Sequence, residues 1–549
     1  MWIFPFTLIV PNVILDITDY SNWLIKVVNI FLPLGMYMIA IGASKNVGRT
    51  LLYMFLLIFY AAFQIVLLYL YGESIIAIDM FINVVTTNVS EATELLGNLA
   101  LAIITVVVLY VPQIIWAILL IVRKEYAETE QRYKCGKVGI VLASLGVICT
   151  IIAYAAVPRF DICRSVFPIN VMYNTYKAID RTIDTHHYYD TSAQFEFDAT
   201  TLRPQNLKEI YVLVIGETSR ADNWQLAGYD RPTNPLLSVR DSVIFYPKAL
   251  SQSNTTHKSV PLLLSGVGAE NFADSIYTTK SLITAFNQVG YRTAFLSNQA
   301  RNHSFIDFFA REAQVVDFLT DDGKHHYDKE LLKPFVDFLE TSPSNKIFVV
   351  LHTYGSHFNY NERYPADKSY FKPDRASAAS AENRGQLLNA YDNTIRYTDE
   401  MIDSVISVVK SYNCPAAVLY LSDHGEDIFD DTRNRFLHAS PVPTYYQIHV
   451  PVLVWISKSL DDIYPSLYDA AYDHRNLNVA SSRIVFDTIL DLAGIKTRKT
   501  DLSKSLVNRD YNEGRRIYLN DYNEAVPLKY SGLRSFDIEQ IDKKGISLD

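Results

Sequence analysis

Hydroxyls, carboxylates and imidazoles gather in a few short stretches of the second part of the chain. Ser251-Gln-Ser-Asn-Thr-Thr-His-Lys-Ser-Val-Pro261 is a hydroxyl-rich loop running into Leu262-Leu-Leu-Ser265, an apolar turn that reads as a helix start. Hydroxyls in such a place usually serve as caps. The same place lies among unbonded backbone N–H groups at the positive end of the helix dipole, which favours a phosphate or an alkoxide nucleophile. Two adjacent residues, Thr255 and Thr256, could supply that oxygen.

Metal-type donors stand after four separate apolar runs: Glu217; Asn298; His352 or His357; and Asp423-His424 with Glu426, followed on a loop by His438. Singly, a Glu after a strand is a turn or cap residue and a His a surface residue. Jointly, carboxylates mixed with imidazoles on different loops of one edge are the donor set of a zinc site. A zinc ion beside the loop would lower the pKa of a threonine hydroxyl and offset charge building on phosphoryl oxygens. Attack on phosphorus would then leave a phospho-threonine. No P-loop and no Gly-rich dinucleotide fingerprint occurs, which argues against a soluble nucleotide as donor.

The runs that position these residues read as strands: Ile210–Ile215, Tyr291–Leu296, Ile347–Leu351, Ala416–Leu421 and Val450–Ile456. Helical patterns lie between them over Ser281–Val289, Glu330–Glu340, Arg384–Tyr412 and Arg483–Ala493. Continuous apolar strands alternating with helices predict an α/β domain whose mostly parallel sheet is covered on both faces. Ligands bind beyond the carboxyl ends of such strands, which is where the polar residues fall.

The 549 residues divide in composition. Residues 1–157 are dominated by apolar runs and read as a transmembrane domain, 158–208 as a connector, and 209–549 as the domain carrying the chemistry. Four segments are long enough to span: Trp23–Ala43, Leu51–Tyr71, Leu99–Val122 and Gly139–Val157. Trp2–Leu15 is a marginal fifth. Lys45 and Arg49, then Arg123, Lys124, Arg132, Lys134 and Lys137, crowd two short turns. By the positive-inside rule those turns are cytoplasmic, so the segment 73–98 and everything after Val157 lie outside. In that outer segment Asn83, Thr87 and Glu91 recur every four residues, one polar face of an amphipathic helix. Val171–Ile183 reads as a helix lying on the membrane surface. All twelve histidines lie beyond residue 185. The net charge of −9, without a basic stripe, argues against a nucleic-acid partner. Of the four cysteines only Cys163 and Cys414 could face an oxidising compartment, so at most one disulfide is expected there. Tethering at a bilayer makes a membrane phospholipid the natural donor.

With these residues in place the chain resembles the membrane phosphoethanolamine transferases that modify lipid A, including the colistin-resistance enzymes, in the alkaline phosphatase/sulfatase-like superfamily. The resemblance rests on Gly216-Glu-Thr-Ser-Arg-Ala-Asp222 with Gly228-Tyr-Asp-Arg231, Thr256 with Ser259-Val-Pro261, Asn389-Ala-Tyr-Asp-Asn393, Ser422-Asp-His-Gly-Glu426, Leu437-His438 and Asn83/Thr87/Glu91. It implies zinc held by Glu217, Thr256, Asp423 and His424, with Thr256 as nucleophile. It places His357 and His438 near the phosphate, where they are catalytic and could hold a second zinc. Asn83, Thr87 and Glu91 would handle the donor lipid or its ethanolamine, while Asn298, His303 and Glu426 would contact substrate. The implied reaction moves phosphoethanolamine from phosphatidylethanolamine to lipid A or another envelope glycan. Its setting is the bacterial inner membrane, with the catalytic domain in the periplasm. The chain departs from the family where Gln252 and Leu262 replace cysteines bracketing the nucleophile loop, and at His257 and Lys258. A phosphoglycerol transferase of the lipoteichoic-acid-synthase type is the alternative with the same architecture. A sulfatase is disfavoured because the loop lacks a Cys/Ser-x-Pro-x-Arg signature, and a non-catalytic scaffold would have lost ligands that are all present here.

Overall fold

A computed structural model of the protein describes residues 1–18, 21–72, 75–86 and 99–549. The chain divides into two compact units, with the main change between Thr182 and Ile183 and with Asp431–Arg435 grouped with the first.

In the N-terminal unit three described helices are long and apolar enough to cross a membrane: Trp23–Ala43, Ala100–Val122 and Thr129–Ala156. A fourth candidate is broken. Val47–Tyr53 and Phe55–Tyr71 meet at Met54 with a 59° bend, so the expected single span over 51–71 is a bent pair. The marginal N-terminal stretch forms two short helices, Ile3–Leu8 and Val10–Thr18. Trp23–Ala43 and Thr129–Ala156 pack backbone to backbone through small residues. A Cβ added at Gly35 would sit 2.4 Å from the Ala143 nitrogen, and one at Gly146 2.7 Å from Leu32 Cα. In lipid, with no hydrophobic force between helices, such close approach supplies the attraction.

Polar side chains fasten the rest of this unit. Asn12 donates to the carbonyls of Asn29 and Phe167, both at 2.7 Å. The helix Ile169–His186, somewhat longer than expected, turns Asn174 and Arg181 inward. Asn174 donates to the Ile76 carbonyl at 2.7 Å, and Arg181 pairs with Asp79 at 3.3 Å. Asp79 lies in the first turn of the helix Ile78–Thr86.

The second unit is built on a seven-stranded sheet. Its strands are β1 (Glu209–Gly216), β2 (Val243–Phe245), β3 (Arg292–Ser297), β4 (Val315–Phe318), β5 (Lys346–His352), β6 (Ala416–Ser422) and β7 (Val452–Ile456), in the spatial order β2-β7-β6-β1-β5-β3-β4. β6, β1, β5, β3 and β4 are mutually parallel, while β7 runs antiparallel to both of its neighbours. β1 is central and buried along its whole length. Its alternate residues enter two cores: Tyr211, Leu213 and Ile215 on one face, Ile210, Val212 and Val214 on the other. Two covered faces explain why the strand reads as an unbroken apolar run. The helices Thr256–Ser265, Leu282–Gln288 and Ser481–Leu492 pack on the first face, Leu332–Thr341 and Arg384–Ser411 on the second. The fold is thus a part with apolar helices followed by an α/β domain with a mostly parallel sheet covered on both faces, as the strand pattern predicts. All four cysteines are free thiols.

Candidate active site

Register brings the site together. Gly216 of β1 lies opposite Ser422 of β6, and Ile215 lies opposite His352 of β5, so the residues after these strands leave the sheet side by side. Asp423 N–H donates to the Gly216 carbonyl at 3.1 Å, and Thr353 N–H to the Ile215 carbonyl at 3.0 Å. Glu217 and Asp423 are therefore fixed by the last rungs of the sheet.

The hydroxyl-rich loop enters from the side. Thr255 has extended backbone angles and Thr256 is the first residue of the helix Thr256–Ser265. Thr256 Oγ1 stands 3.1 and 3.2 Å from the two oxygens of Glu217 and 3.1 Å from His424 Nε2. The loop is held on several sides. Ser251 Oγ donates to the Asp423 carbonyl at 2.6 Å, and Asn254 Nδ2 to Gln447 at 2.7 Å. A C-terminal hairpin, β8 (Ile517–Leu519) with β9 (Ala525–Pro527), completes the support. Leu519 N–H donates to the Gln252 carbonyl at 2.7 Å, Gln252 Nε2 to the Ile517 carbonyl at 3.3 Å, and Tyr518 OH to Asn254 at 2.8 Å. Hydrogen bonds through Gln252 thus brace this loop. Lys258 is buried and donates to the Asn520 carbonyl at 2.7 Å.

Two groups of possible metal donors share Glu217. One is Glu217, Asp423 and His424, the other Glu217, His357 and His438; within each, one donor atom per residue lies within 4.8 Å of the others. The residues fit a metal. Asp423 Oδ2 accepts no hydrogen bond although the residue is only 1% exposed, so a carboxylate oxygen is left for a cation. His424 Nδ1 lies 2.9 Å from the Gly425 carbonyl, which assigns the proton to Nδ1 and leaves the Nε2 lone pair facing Thr256. His357 is arranged alike, with Nδ1 at 2.6 Å from the Phe358 carbonyl. Burial pushes Glu217 up to about 7, with the nearby Asp423 charge adding to the effect, and pushes Asp423 up to about 7 as well. Burial also lowers His424 and His438, which keeps both imidazoles neutral. Two acids that resist ionisation beside neutral imidazoles are what a bound cation would relieve.

The remaining sequence-derived residues divide. Glu426 is buried behind His438, 3.5 Å from its Nδ1, and burial holds its carboxyl well above the usual range. Of the two imidazoles left open after β5, His357 joins a donor group. His352 stays inside, 3.2 Å from Ser297 Oγ, neutral because burial lowers it to about 3. Asn298 stands behind the site: it is 2% exposed and its amide donates to Asp328 at 2.8 Å and to the His326 carbonyl at 3.0 Å. The His303 side chain is 82% exposed, near Asp307. Asn83 falls in the helix Ile78–Thr86, and Thr87 and Glu91 lie outside the described residues.

Two contributors were not singled out from sequence. Gln299 Nε2 donates to Glu217 Oε2 at 3.0 Å and to the Thr353 carbonyl at 2.9 Å. Asp328 accepts from Tyr354 N–H at 2.7 Å and Gly355 N–H at 2.8 Å, fixing the turn that leads to His357. The position of Gln299 directly after a strand end, next to Asn298, is the signal that could have found it. Asp328 carries none.

A sequence-family profile described as Sulfatase matches residues 209–495, just over half of the chain. Among curated proteins, the chain is 29% identical over 287 residues to the Kdo(2)-lipid A phosphoethanolamine 7''-transferase of Escherichia coli, an alignment covering 51% of this chain and 49% of that protein. The chain thus spans about half the length of the curated relatives it matches. Among solved structures, the C-terminal periplasmic domain of EcEptC from Escherichia coli in complex with Zn aligns at 26% identity and TM-score 0.54, covering 60% of this chain and 94% of that one. The integral membrane lipooligosaccharide phosphoethanolamine transferase A of Neisseria meningitidis aligns over 92% of this chain and 97% of its own, with TM-score 0.72 and 21% identity, and so shares the fold.

Proposed function

The chain belongs to the sulfatase family, and from that premise we propose that it is a zinc-dependent phosphoethanolamine transferase. By this reading it acts at the outer face of a bacterial inner membrane, with its catalytic domain in the periplasm. The donor is phosphatidylethanolamine and the acceptor lipid A or another envelope glycan. Asn83, Thr87 and Glu91 are the residues assigned to the donor lipid. The reading rests above all on Thr256 Oγ1, which lies 3.1 to 3.2 Å from a buried carboxylate and an imidazole lone pair in a chain that carries membrane-crossing helices. The relatives named above, a lipid A phosphoethanolamine transferase among them, support the choice of group transferred.

Glu217, Asp423, His424 and the Thr256 oxygen are the groups that would hold the metal. Zinc bound there supplies positive charge that acidifies the threonine hydroxyl and offsets charge on phosphoryl oxygens. The Thr256 oxygen forms a bond to the donor phosphorus, and the bond from phosphorus to the diacylglycerol oxygen breaks. The proton lost by the Thr256 hydroxyl is taken up by His357 Nε2, whose lone pair is open because the Nδ1 proton is committed to Phe358, and is then given to that leaving oxygen. Diacylglycerol leaves, and an oxygen of the acceptor then attacks the phospho-threonine and restores the hydroxyl. His438, kept neutral by burial, offers a hydrogen bond to a phosphoryl oxygen.

Mass spectrometry of lipid A from cells expressing the wild type and Thr256→Ala tests the proposal. The expected result is a phosphoethanolamine increment in the first and none in the second. An increment that persists in Thr256→Ala would overturn the nucleophile, and a glycerophosphate increment would favour the lipoteichoic-acid-synthase type of chemistry.

A further inference from the structure

Thr218 stands out by its backbone. Of the twelve non-glycine residues with positive φ among the described residues, it is the only β-branched one, with φ +60°. Such a residue is strained in this region, because its branched Cβ crowds the neighbouring carbonyl. Strain of this kind persists only where the surroundings over-determine it, and it concentrates at functional sites.

The surroundings account for every polar group of Thr218. Its N–H donates to Asp423 Oδ1 at 3.2 Å, and its hydroxyl donates to Glu217 Oε1 at 2.7 Å. Its carbonyl accepts from Tyr391 OH at 2.7 Å, and that oxygen in turn accepts Arg220 N–H at 2.8 Å. The side chain is wholly buried. Rotation about N–Cα sets the angle between a residue's N–H and its side chain. In the left-handed setting seen here the N–H is aimed at Asp423 and the hydroxyl back at Glu217. The other Glu217 oxygen is held by Gln299 at 3.0 Å.

We propose that Thr218 is a positioning residue that presets the carboxylates of Glu217 and Asp423 for a divalent metal and for Thr256, its strained backbone being the means by which one residue grips both. The proposal deepens the zinc reading above and rests on it. Thr218 touches neither substrate nor the reacting oxygen; it acts through the two carboxylates.

Two variants of the full-length detergent-solubilised protein test this. Thr218→Gly removes the hydroxyl and also the strain, since glycine adopts positive φ without penalty. Thr218→Ser keeps the hydroxyl. Zinc affinity is read by competition with a chromogenic chelator, and the metal-free melting temperature is read in parallel. For Thr218→Gly the zinc Kd is expected to rise by about 10- to 100-fold, the usual range for losing a hydrogen bond to a metal ligand. The metal-free melting temperature is expected to hold or rise. Thr218→Ser is expected to recover most of the affinity. A role in folding alone would move the melting temperature and leave Kd in place, so an unchanged Kd in Thr218→Gly overturns the proposal. A wild type that binds no zinc overturns the underlying reading and this proposal together.

Discussion

Without the proposed metal the centre of the site is a pair of buried acids, and the consequence can be worked out from their surroundings. Glu217 and Asp423 start from 4.5 and 3.8 and are each pushed up to about 7 inside the protein. An acid whose folded pKa is raised favours the neutral form in the fold. The metal-free protein therefore keeps this contribution at low pH and loses it as pH climbs from about 4 to about 7, with nothing further lost above. At about 1.4 kcal/mol per pH unit, ionising Glu217 in place costs about 3 kcal/mol. By the same arithmetic Asp423 costs about 4 kcal/mol, and because the Asp423 charge is one cause of the Glu217 rise the two do not add in full, so the pair costs between about 4 and about 7 kcal/mol. Metal binding requires ionised carboxylates, so displacing even one proton weakens zinc binding about tenfold for each pH unit below 7. Between pH 7 and pH 5 the loss is about 100-fold. Thermal melting of the solubilised protein, with and without zinc, from pH 5 to pH 8 measures this. The zinc-dependent gain in melting temperature should be small at pH 5 and reach its full size near pH 7.5. Glu312, Asp399 and Asp487 also titrate near 7 through burial, but they contribute to both curves and cancel in the difference. Asp423→Asn, neutral at every pH, should be more stable than the metal-free wild type at pH 8 and should gain nothing from zinc. An equal zinc increment at pH 5 and pH 8 would refute the reasoning.

Gly355 has φ +58°, and a Cβ there would lie 2.5 Å from the Glu217 carbonyl. Gly355→Ala should displace the turn before His357, cost about 1–3 kcal/mol in melting experiments and lower kcat at saturating zinc. Asp328→Ala strips the acceptor from the Tyr354 and Gly355 N–H groups, at about 1–3 kcal/mol, and should lower kcat without changing zinc stoichiometry, as metal analysis would show. In the N-terminal unit, Arg181→Met deprives the buried Asp79 of its guanidinium and should cost about 3 kcal/mol or more; Arg181→Met with Asp79→Asn should melt at a higher temperature than Arg181→Met alone.

The fold was legible where burial dictates residue type. β1, β5 and β6 are covered on both faces, so they read as short continuous apolar runs between helical patterns, and each observed boundary lies within one residue of the expected one. β2 and β4 were missed. They are short edge strands with partly exposed residues, and Val243–Phe245 and Val315–Phe318 show too few apolar positions to register as a period. The bend at Met54 was equally silent, because a composition window sees one apolar segment whether or not its helix is straight. Gln252 and the hairpin at 517–527 illustrate a further limit. Their hydrogen bonds join positions more than 260 residues apart, and nothing in either stretch announces the partner.

Among the chemical groups, position relative to a strand end decided what could be read. Glu217, Asp423 and His424 follow their strands immediately, so the sheet itself aims them and their convergence could be anticipated. His357 lies five residues past β5, and its place depends on a turn held by Asp328 and seated against the Glu217 backbone, a contact that only the fold creates. Asn298 follows a strand end too, yet it faces inward. β3 lies beyond β5 from β1, and the amide is consumed by Asp328, which makes it part of the support for that same turn. Support of this kind governs how tightly a site is set. A carboxylate after a central strand is brought within a few ångströms of its partners by register alone. Holding both oxygens of Glu217 towards Thr256 takes Thr218 on one of them and Gln299 on the other, drawn from different strand ends. The chemistry is thus written in residues whose neighbours in sequence are strands, and its precision in residues whose neighbours in space are ligands.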